Sequence, residues 1–378
     1  MRVLMTGGGT GGHVNPALAI ANTIKANVPG SVIEYVGTSK GLENRLVERA
    51  GYKMHHVEIR GIKRSLSPAN FKTLYYIMTA PSKAKKLIKE FKPDIVIGTG
   101  GYVCWPVVKA AAELGIPTAL HESNAVPGVA VKALASKVDR IYINFEATAE
   151  YIADKSKVLH VGNPLLSMFS SPSDPETAKR EIGVPDGCGY MLLSYGGSLG
   201  AAKINEAMLS FMKNVSSKRR DLYHVHATGT SAYESFREKF AEYGLDDCPN
   251  ICLCEYIYDM PLRMAAADAV VCRAGAMTVS ELSRSGKCAV FIPSPNVTNN
   301  HQYKNAKVLA DADAALLFEE RDLGESFENE LSRLLSPECD GKRADMSEKI
   351  KTFSIADSNK LILEDILRLV KKKSGPTA

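Results

Sequence analysis

The sequence contains no run of about 18 apolar residues, so nothing in it reads as a bilayer span. Its start, Met1-Arg2-Val3-Leu4-Met5-Thr6, is too short and too soon broken by glycine to be a secretory signal. Its eight cysteines include no C-x-x-C pair, which removes the usual zinc and thioredoxin-like signatures. They are expected to be reduced packing residues of a cytosolic protein. Cys252-Leu253-Cys254 lies inside an apparent strand, and the expectation there is that the two thiols face opposite ways. Charge of either sign is scarcely in excess: the net charge is +5 and the pI about 8.6, too weak a balance to argue for nucleic acid. No Gly-Lys-Ser/Thr follows the first glycines, so a Walker loop is excluded. No acidic pair has metal-binding spacing, so neither an obligatory metal nor a cofactor is expected.

What is present is an ordinary globular composition over 378 residues, too many for one average domain and enough for two cores. Strand and helix patterns alternate throughout, which predicts parallel sheets covered by helices on both faces. In the first half, strands are expected over 1–6, 31–37, 53–58, 94–98, 117–121, 139–143 and 157–161. Helices are expected over 16–28, 41–50, 70–91, 105–114 and 127–135. In the second half, strands are expected at 190–194, 222–227, 250–254, 268–272, 288–292 and 314–317. The boundary falls near Gly162-Asn163-Pro164 and Pro172-Ser173-Asp174-Pro175. This gives an N-terminal domain over 1–163 and a C-terminal domain over 164–354. An amphipathic helix at about 355–372 follows.

The first loop, Gly7-Gly8-Gly9-Thr10-Gly11-Gly12-His13, joins strand to helix. Such a loop turns tightly and presents bare N–H groups at the positive end of a helix dipole, which attracts phosphate. It ends in a residue that can carry a proton near neutral pH. The plain alternative is a tight turn only, and the second strand, running into Gly37-Thr38-Ser39, lacks the acidic residue that a dinucleotide fingerprint needs. A second glycine loop, Gly98-Thr99-Gly100-Gly101-Tyr102, ends another strand. His121-Glu122-Ser123-Asn124 ends a third, either as a polar cluster lining a cleft or as a hydrogen-bonded pair orienting a loop.

Residues 60–92 carry nine Lys or Arg against Glu90 alone, interleaved with Ile62, Leu66, Phe71, Leu74, Tyr75, Tyr76, Ile77 and Met78. For 80–92 the reading is a solvated helix with its apolar side on the core. For 61–78 an anionic membrane surface and a core-facing helix stay open. The second half restarts with Gly196-Gly197-Ser198-Leu199-Gly200 after a strand. Further on, Gly275 opens a helix that carries Thr278, Ser280 and Glu281, and Asn299-Asn300-His301-Gln302 follows the next strand. Free N–H groups at that helix start suit a diphosphate, and a carboxylate can accept both hydroxyls of a ribose.

Taken together these elements, with Glu255-Tyr256-Ile257, resemble the bacterial N-acetylglucosaminyltransferases that convert lipid I to lipid II in peptidoglycan synthesis, the MurG family. The resemblance implies an α/β GT-B glycosyltransferase fold, two Rossmann-like domains separated by a cleft, with the C-terminal helix returning to the first. It implies donor UDP-GlcNAc in the second domain. There, Ile257 would meet uracil and Glu281 the ribose, while Ser198 and Ala276, Met277, Thr278, Val279 and Ser280 would hold the diphosphate. Thr10, Gly11, Gly12, Asn124 and Gln302 would surround the GlcNAc. Gly9, Gly100, Gly101 and Tyr102 would take the pyrophosphate of the acceptor, lipid I. The protein would lie peripherally on the cytoplasmic face of the membrane, with other cell-wall synthesis proteins as further partners and no nucleic acid. Where the family commonly has arginine two residues after Gly-Asn-Pro, Leu166 stands here; where it often has glutamine, Leu199 stands. Arg273 is a candidate substitute for the missing cation. The expected reaction is an inverting displacement with His13 as general base and Glu122 as the other candidate. A UDP-GlcNAc 2-epimerase and a non-catalytic sugar-nucleotide binder are the rival readings.

Overall fold

A computed structural model describes residues 1–60, 69–166, 174–197 and 199–374. The expectations for 61–68 and for Ser198 fall outside these described residues. The chain forms two compact units, Met1–Leu166 with Ile355–Ala378, and Ser167–Ser354.

The first unit carries β1 (Arg2–Thr6), β2 (Val32–Gly37), β3 (Lys53–His56), β4 (Ile95–Gly98), β5 (Thr118–Glu122), β6 (Arg140–Ile143) and β7 (Val158–His160). They form one parallel sheet in the order β3-β2-β1-β4-β5-β6-β7. Its helices are α1 (Gly11–Asn27), α2 (Glu43–Arg49), α3 (Ala69–Phe91), α4 (Cys104–Glu113) and α5 (Val129–Leu134). Strands buried on both faces need apolar residues at successive positions. Val3, Leu4 and Met5 of β1 and Ile95, Val96 and Ile97 of β4 are accordingly all inaccessible to solvent.

The helix expected from residue 16 instead begins inside the glycine loop at Gly11, because the Thr10 carbonyl accepts from the amides of both His13 (3.1 Å) and Val14 (3.2 Å). Pro16 therefore sits inside α1, where it withholds only the N–H that would reach the Gly12 carbonyl. The C-terminal part of α3 turns Ala80, Ala84, Ile88 and Phe91 to the core and its lysines outward, as expected for 80–92. Its earlier turns leave Leu74, Tyr75 and Met78 exposed. No described helix is long and apolar enough to cross a membrane.

The second unit carries β8 (Tyr190–Tyr195), β9 (Leu222–Ala227), β10 (Ile251–Cys254), β11 (Ala269–Cys272), β12 (Ala289–Phe291) and β13 (Ala315–Leu317). These are again parallel, in the order β10-β9-β8-β11-β12-β13. Its helices are α6 (Pro175–Glu181), α7 (Ala202–Asn214), α8 (Tyr233–Glu242), α9 (Met260–Ala266), α10 (Ala276–Ser285), α11 (His301–Ala310), α12 (Glu325–Leu334) and α13 (Asp340–Lys351). The last helix, α14 (Ser358–Ser374), belongs to the first unit. Its Ile362, Leu363 and Ile366 join the core cluster that holds Val14, Leu18 and Ile33. Its Asp365 is clamped by the Arg140 guanidinium (Nε, 2.8 Å) and the Tyr142 hydroxyl (3.0 Å). The expectation for Cys252 and Cys254 is corrected. A strand's side chains repeat every two residues, so these thiols share one face of β10, where the Cys254 thiol donates to the His226 carbonyl (3.4 Å).

Both sheets reverse strand order once, between β1 and β4 and between β8 and β11. Open parallel sheets bind ligands beyond the carboxyl ends of the strands at such a reversal. The loops found there are the glycine loops singled out in the sequence.

Three buried histidines lie within these sheets. The His121 Nε2–H donates to the Gly162 carbonyl (3.2 Å), and its Nδ1 lies 3.4 Å from the Ser123 hydroxyl. His224 and His226 share the Ser194 hydroxyl at 2.9 and 2.8 Å. Burial lowers His121 to about 4, His226 to about 3 and His224 well below its ordinary value. Below pH 6.5 the unfolded chain binds protons that the folded chain refuses, so stability falls as pH falls. Each histidine contributes a slope of about 1.4 kcal/mol per pH unit until its folded value is reached. The urea midpoint is expected to drop clearly between pH 7 and pH 5, against the opposing carboxyl of Glu281, which is raised to about 8. A flat midpoint over that range would contradict the neutral assignment of these histidines.

Candidate active site

At the first strand reversal the two glycine loops interlock. The Gly8 amide donates to the Gly100 carbonyl (3.3 Å), and the Thr99 hydroxyl donates to the His13 carbonyl (2.6 Å). Gly101 has φ +81°, and a Cβ there would lie 2.2 Å from the Gly8 carbonyl oxygen. Gly101→Ala is therefore opposed twice, by backbone conformation and by a backbone atom that cannot move aside. A destabilisation of roughly 2 kcal/mol or more in urea unfolding is expected. An unchanged midpoint would mean that the loops do not interlock this way.

Held between these loops, His13 has its Nδ1 2.9 Å from the Gly8 carbonyl and 3.3 Å from the Thr10 hydroxyl. A carbonyl can only accept, so Nδ1 carries the proton and Nε2 keeps its lone pair. The Nε2 edge of the ring lies over Gly100. A Cβ there would come 2.9 Å from Nε2 and 2.6 Å from Cδ2, so only glycine leaves the ring its place. The amides of Gly11 and Gly12 open α1 and have no acceptor among the described residues. The Gly9 amide, expected on the acceptor pyrophosphate, is instead taken by Glu43 Oε2 at 3.1 Å, because that carboxylate lies buried directly beneath the loop.

Glu43 escaped the sequence reading. It also accepts from the amide and hydroxyl of Thr38 at 2.9 and 2.8 Å, and Gly8, Gly37 and Gly41 have no side chain where its own lies. These hydrogen bonds outweigh the effect of burial and hold its carboxyl below the usual range. Its partners come from two separate loops, those of Gly9 and of Thr38, so no local pattern announces it.

At the end of β5, Glu122 is buried. One oxygen accepts from the amide and side chain of Asn124, both at 3.0 Å, and the other from the Gly128 amide at 2.8 Å. Both oxygens are thus engaged in ordering the loop that presents Asn124. Gly100 (φ +109°) and Gly101 lead into α4, and Tyr102, beside them, is 60% exposed.

In the second unit, the loop at Gly196 to Ala201 closes against β9. A Cβ on Gly200 would lie 2.0 Å from the Thr228 carbonyl oxygen. Gly275 caps α10, and the amides of Met277 and Thr278 have no acceptor among the described residues. Ala276, Met277, Val279 and Ser280 are largely buried in this helix start, and Thr278 is half-buried. Glu281 follows, beside Tyr195 and Cys272, with no hydrogen-bond donor on its carboxyl among the described residues. Burial without compensation raises it to about 8. Ile257 is buried between the exposed rings of Tyr256 and Tyr258, which meet edge to face at 4.9 Å. Gln302 accepts from the Ser294 amide through Oε1 (2.9 Å), which fixes the side chain and leaves its NH2 as a donor. Arg273 does not supply a free cation, because it is tied to the Ile292 carbonyl (2.9 Å) and to Glu320 (2.5 Å). Among the described residues no group of three His, Cys, Asp or Glu is placed to hold a metal ion.

Models of the glycosyltransferase family 28 N-terminal and C-terminal domains match residues 3–143 and 191–362. The chain is 41% identical over 376 residues to a protein of Acetivibrio thermocellus, covering 99% of this chain and all of that one. That protein is named UDP-N-acetylglucosamine–N-acetylmuramyl-(pentapeptide) pyrophosphoryl-undecaprenol N-acetylglucosamine transferase. The crystal structure of MurG from Acinetobacter baumannii matches with TM-score 0.75 at 29% identity, over 97% of this chain and 99% of that one. The chain belongs to the MurG family. MurG-family membership makes the chain a glycosyltransferase, and its two parallel-sheet units are those of the GT-B fold. The UDP-GlcNAc 2-epimerase of Neisseria meningitidis, bound to UDP-GlcNAc, matches with TM-score 0.67 at 15% identity, over 97% of this chain and all of that one, a likeness of fold alone. In this MurG-family chain, Leu166 of the first unit is half-buried and Leu199 of the second is 73% exposed.

Proposed function

We infer that the protein transfers GlcNAc from UDP-GlcNAc to the C4 hydroxyl of undecaprenyl-pyrophosphoryl-MurNAc-pentapeptide, converting lipid I to lipid II. The observation that carries this reading is 41% identity, over essentially the whole of both chains, to a relative named for that transfer. The reaction is a step of peptidoglycan synthesis and so of cell-wall growth, cell shape and division.

The His13 geometry supports a mechanism. Nε2, unprotonated while Nδ1–H is held by Gly8, takes the proton of the attacking C4 hydroxyl. That oxygen bonds to C1 of GlcNAc from the face opposite UDP, the C1–O bond to UDP breaks, and the product is a β-1,4 link. The leaving diphosphate gains charge at the α10 start, where Met277 and Thr278 offer their amides, with Ala276, Val279 and Ser280 around it. Glu281 accepts the ribose hydroxyls and Ile257 lines the uracil. Thr10, Gly11, Gly12, Asn124 and the Gln302 amide surround the GlcNAc. Gly100, Gly101 and Tyr102, at the α4 start, take the acceptor pyrophosphate. Glu122 positions Asn124 and is not the base, since three N–H donors already hold its carboxylate.

The first unit would be the acceptor-binding, membrane-facing one and the second the donor-binding one. Leu74, Tyr75 and Met78, exposed on α3 beside a lysine-rich stretch, would rest on the cytoplasmic leaflet. Changing all three to serine is expected to lower partitioning onto anionic phospholipid vesicles at least tenfold in a flotation assay. Turnover on a soluble acceptor analogue should stay near normal. Equal flotation of variant and parent would remove this surface. The transfer itself is tested by incubating radiolabelled UDP-GlcNAc with a lipid I analogue and analysing the product's linkage. A β-1,4-linked disaccharide supports the reading, and UDP-ManNAc formed without acceptor would replace it with an epimerase.

A further inference from the structure

We propose that Glu43 is a positioning residue for His13: its carboxylate holds the Gly8–Gly9 peptide in the orientation that keeps the His13 proton on Nδ1 and leaves Nε2 free. The proposal deepens the proposed function and rests on His13 being the base there. None of the roles assigned above uses Glu43.

The two hydrogen bonds that matter meet on a single peptide group. Its N–H, that of Gly9, donates to Glu43 Oε2 at 3.1 Å. Its C=O, that of Gly8, accepts the Nδ1 proton of His13 at 2.9 Å. Carboxylate, peptide and imidazole thus form one chain running from beneath the glycine loop to the base. The carboxylate is the fixed end of that chain. It belongs to the first residue of α2, and its other oxygen is anchored on the Thr38 amide and hydroxyl at 2.9 and 2.8 Å. Burial alone would raise this carboxyl, but the Thr38 and Gly9 donors hold it below the usual range, so it is ionised at neutral pH.

Among the described residues no other contact chooses the orientation of this peptide. Turning it over changes only ψ of Gly8 and φ of Gly9, and glycine accepts φ of either sign. Gly9 stands at φ +86°, and nothing lies within 4 Å of the place a Cβ would take there. The Gly8 amide, on the Gly100 carbonyl, fixes the preceding peptide and not this one. The Thr10 hydroxyl, 3.3 Å from Nδ1, can donate or accept, so it does not choose between tautomers. In the reversed orientation the Gly8 carbonyl would face the Glu43 carboxylate, oxygen against oxygen, with no proton between them. The Gly9 N–H would face His13 Nδ1, which would then have to accept, sending the ring proton to Nε2. A neutral ring protonated on Nε2 cannot take a proton there from an attacking hydroxyl. The charge on Glu43 thus selects the tautomer of a ring it does not touch. It also makes the Gly8 carbonyl a stronger acceptor, which steadies the imidazolium formed on proton transfer.

The test uses the full chain, with nitrogen-15 in its histidine rings and, separately, in its glycine amides. The tautomer of neutral His13 is read from its two ring nitrogen shifts, assigned by their loss in His13→Ala. In the unsubstituted protein the proton is expected on Nδ1. The Gly9 amide is expected to exchange with solvent roughly 10²-fold or more slower than those of Gly11 and Gly12. A proton on Nε2, or Gly9 exchange as fast as that of the other two, would overturn the proposal without any variant. Glu43→Gln keeps the shape and, through Oε1, the Thr38 contacts. It turns an NH2 towards the loop, where that group opposes the Gly9 donor and suits the reversed Gly8 carbonyl. The neutral His13 ring is expected to move its proton to Nε2. The kcat should fall roughly tenfold or more, with KM for UDP-GlcNAc within about twofold. A folded Glu43→Gln protein that keeps the Nδ1 tautomer would overturn the proposal. Adding Glu43→Gln to His13→Ala should cost no further turnover, and a further loss of about tenfold would place the action of Glu43 elsewhere and overturn it too. If His13→Ala itself turns over near the parent rate, the base assignment fails, while the ring shifts still decide whether Glu43 sets the tautomer.

Discussion

His13→Ala is expected to lower kcat by roughly 10²–10⁴, the range that general base catalysis contributes. KM for UDP-GlcNAc should change little, since the donor's uracil, ribose and diphosphate are assigned to the second unit. A group acting only in the transition state lowers kcat and kcat/KM together. The orientation of the ring gives this prediction its force. With Nδ1–H fixed by the Gly8 carbonyl at 2.9 Å, the proposed base is one defined nitrogen in one defined tautomer. His13→Asn, which can still donate to Gly8 but has no basic nitrogen, should be as inactive as the alanine variant. Steady-state kinetics on a lipid I analogue checks these points, and turnover within fivefold of the parent in either variant would move the base elsewhere.

Glu281 carries the second large effect, and its burial makes the effect pH-dependent. Its carboxyl, raised to about 8 with no donor to support it, is mostly protonated at pH 7 in the ligand-free protein. The ionised form can accept both ribose hydroxyls, so binding must release that proton. The affinity for UDP-GlcNAc should therefore tighten up to tenfold per pH unit from pH 6 to pH 8 and level off above. Glu281→Ala would remove both charge-assisted hydrogen bonds proposed to the ribose, at about 1.5–3 kcal/mol each, and should weaken the donor by at least 10²-fold. Stability responds in the opposite sense. The folded value lies above the unfolded one, so this group's contribution is present below pH 4.5 and is lost as pH rises towards 8. Glu281→Gln should thus stabilise the ligand-free protein at pH 9, by roughly 1.4 kcal/mol per unit of displacement at most, while weakening the donor and flattening its pH dependence. Calorimetric titration and urea unfolding at several pH values measure both. A variant that loses affinity without gaining alkaline stability would mean that the carboxyl is not buried uncompensated.

Short parallel strands buried on both faces read as apolar runs, which is why each strand was legible to within two residues at either end. The glycine loops were legible because φ above zero and the close approach of backbones at Gly101 and Gly200 leave little choice of residue. What the chain hides is where backbone donors point. The Gly9 amide reads as phosphate-binding and is occupied by Glu43, whose sequence neighbourhood gives no sign of it. Glu122 reads as a catalytic carboxylate, and only the positions of Asn124 and Gly128 show its oxygens engaged. Arg273 reads as a free cation until Glu320, 47 residues on, is found against it. Such pairings depend on tertiary distance, to which periodicity and motif spacing are blind.

The measurement that bears most directly on the central claim is UDP release from UDP-GlcNAc with and without a lipid I analogue, in detergent and with EDTA present. The account predicts release that depends on acceptor, persists in EDTA and matches the disaccharide formed mole for mole. Release independent of acceptor, or no release with it, would contradict the transferase assignment.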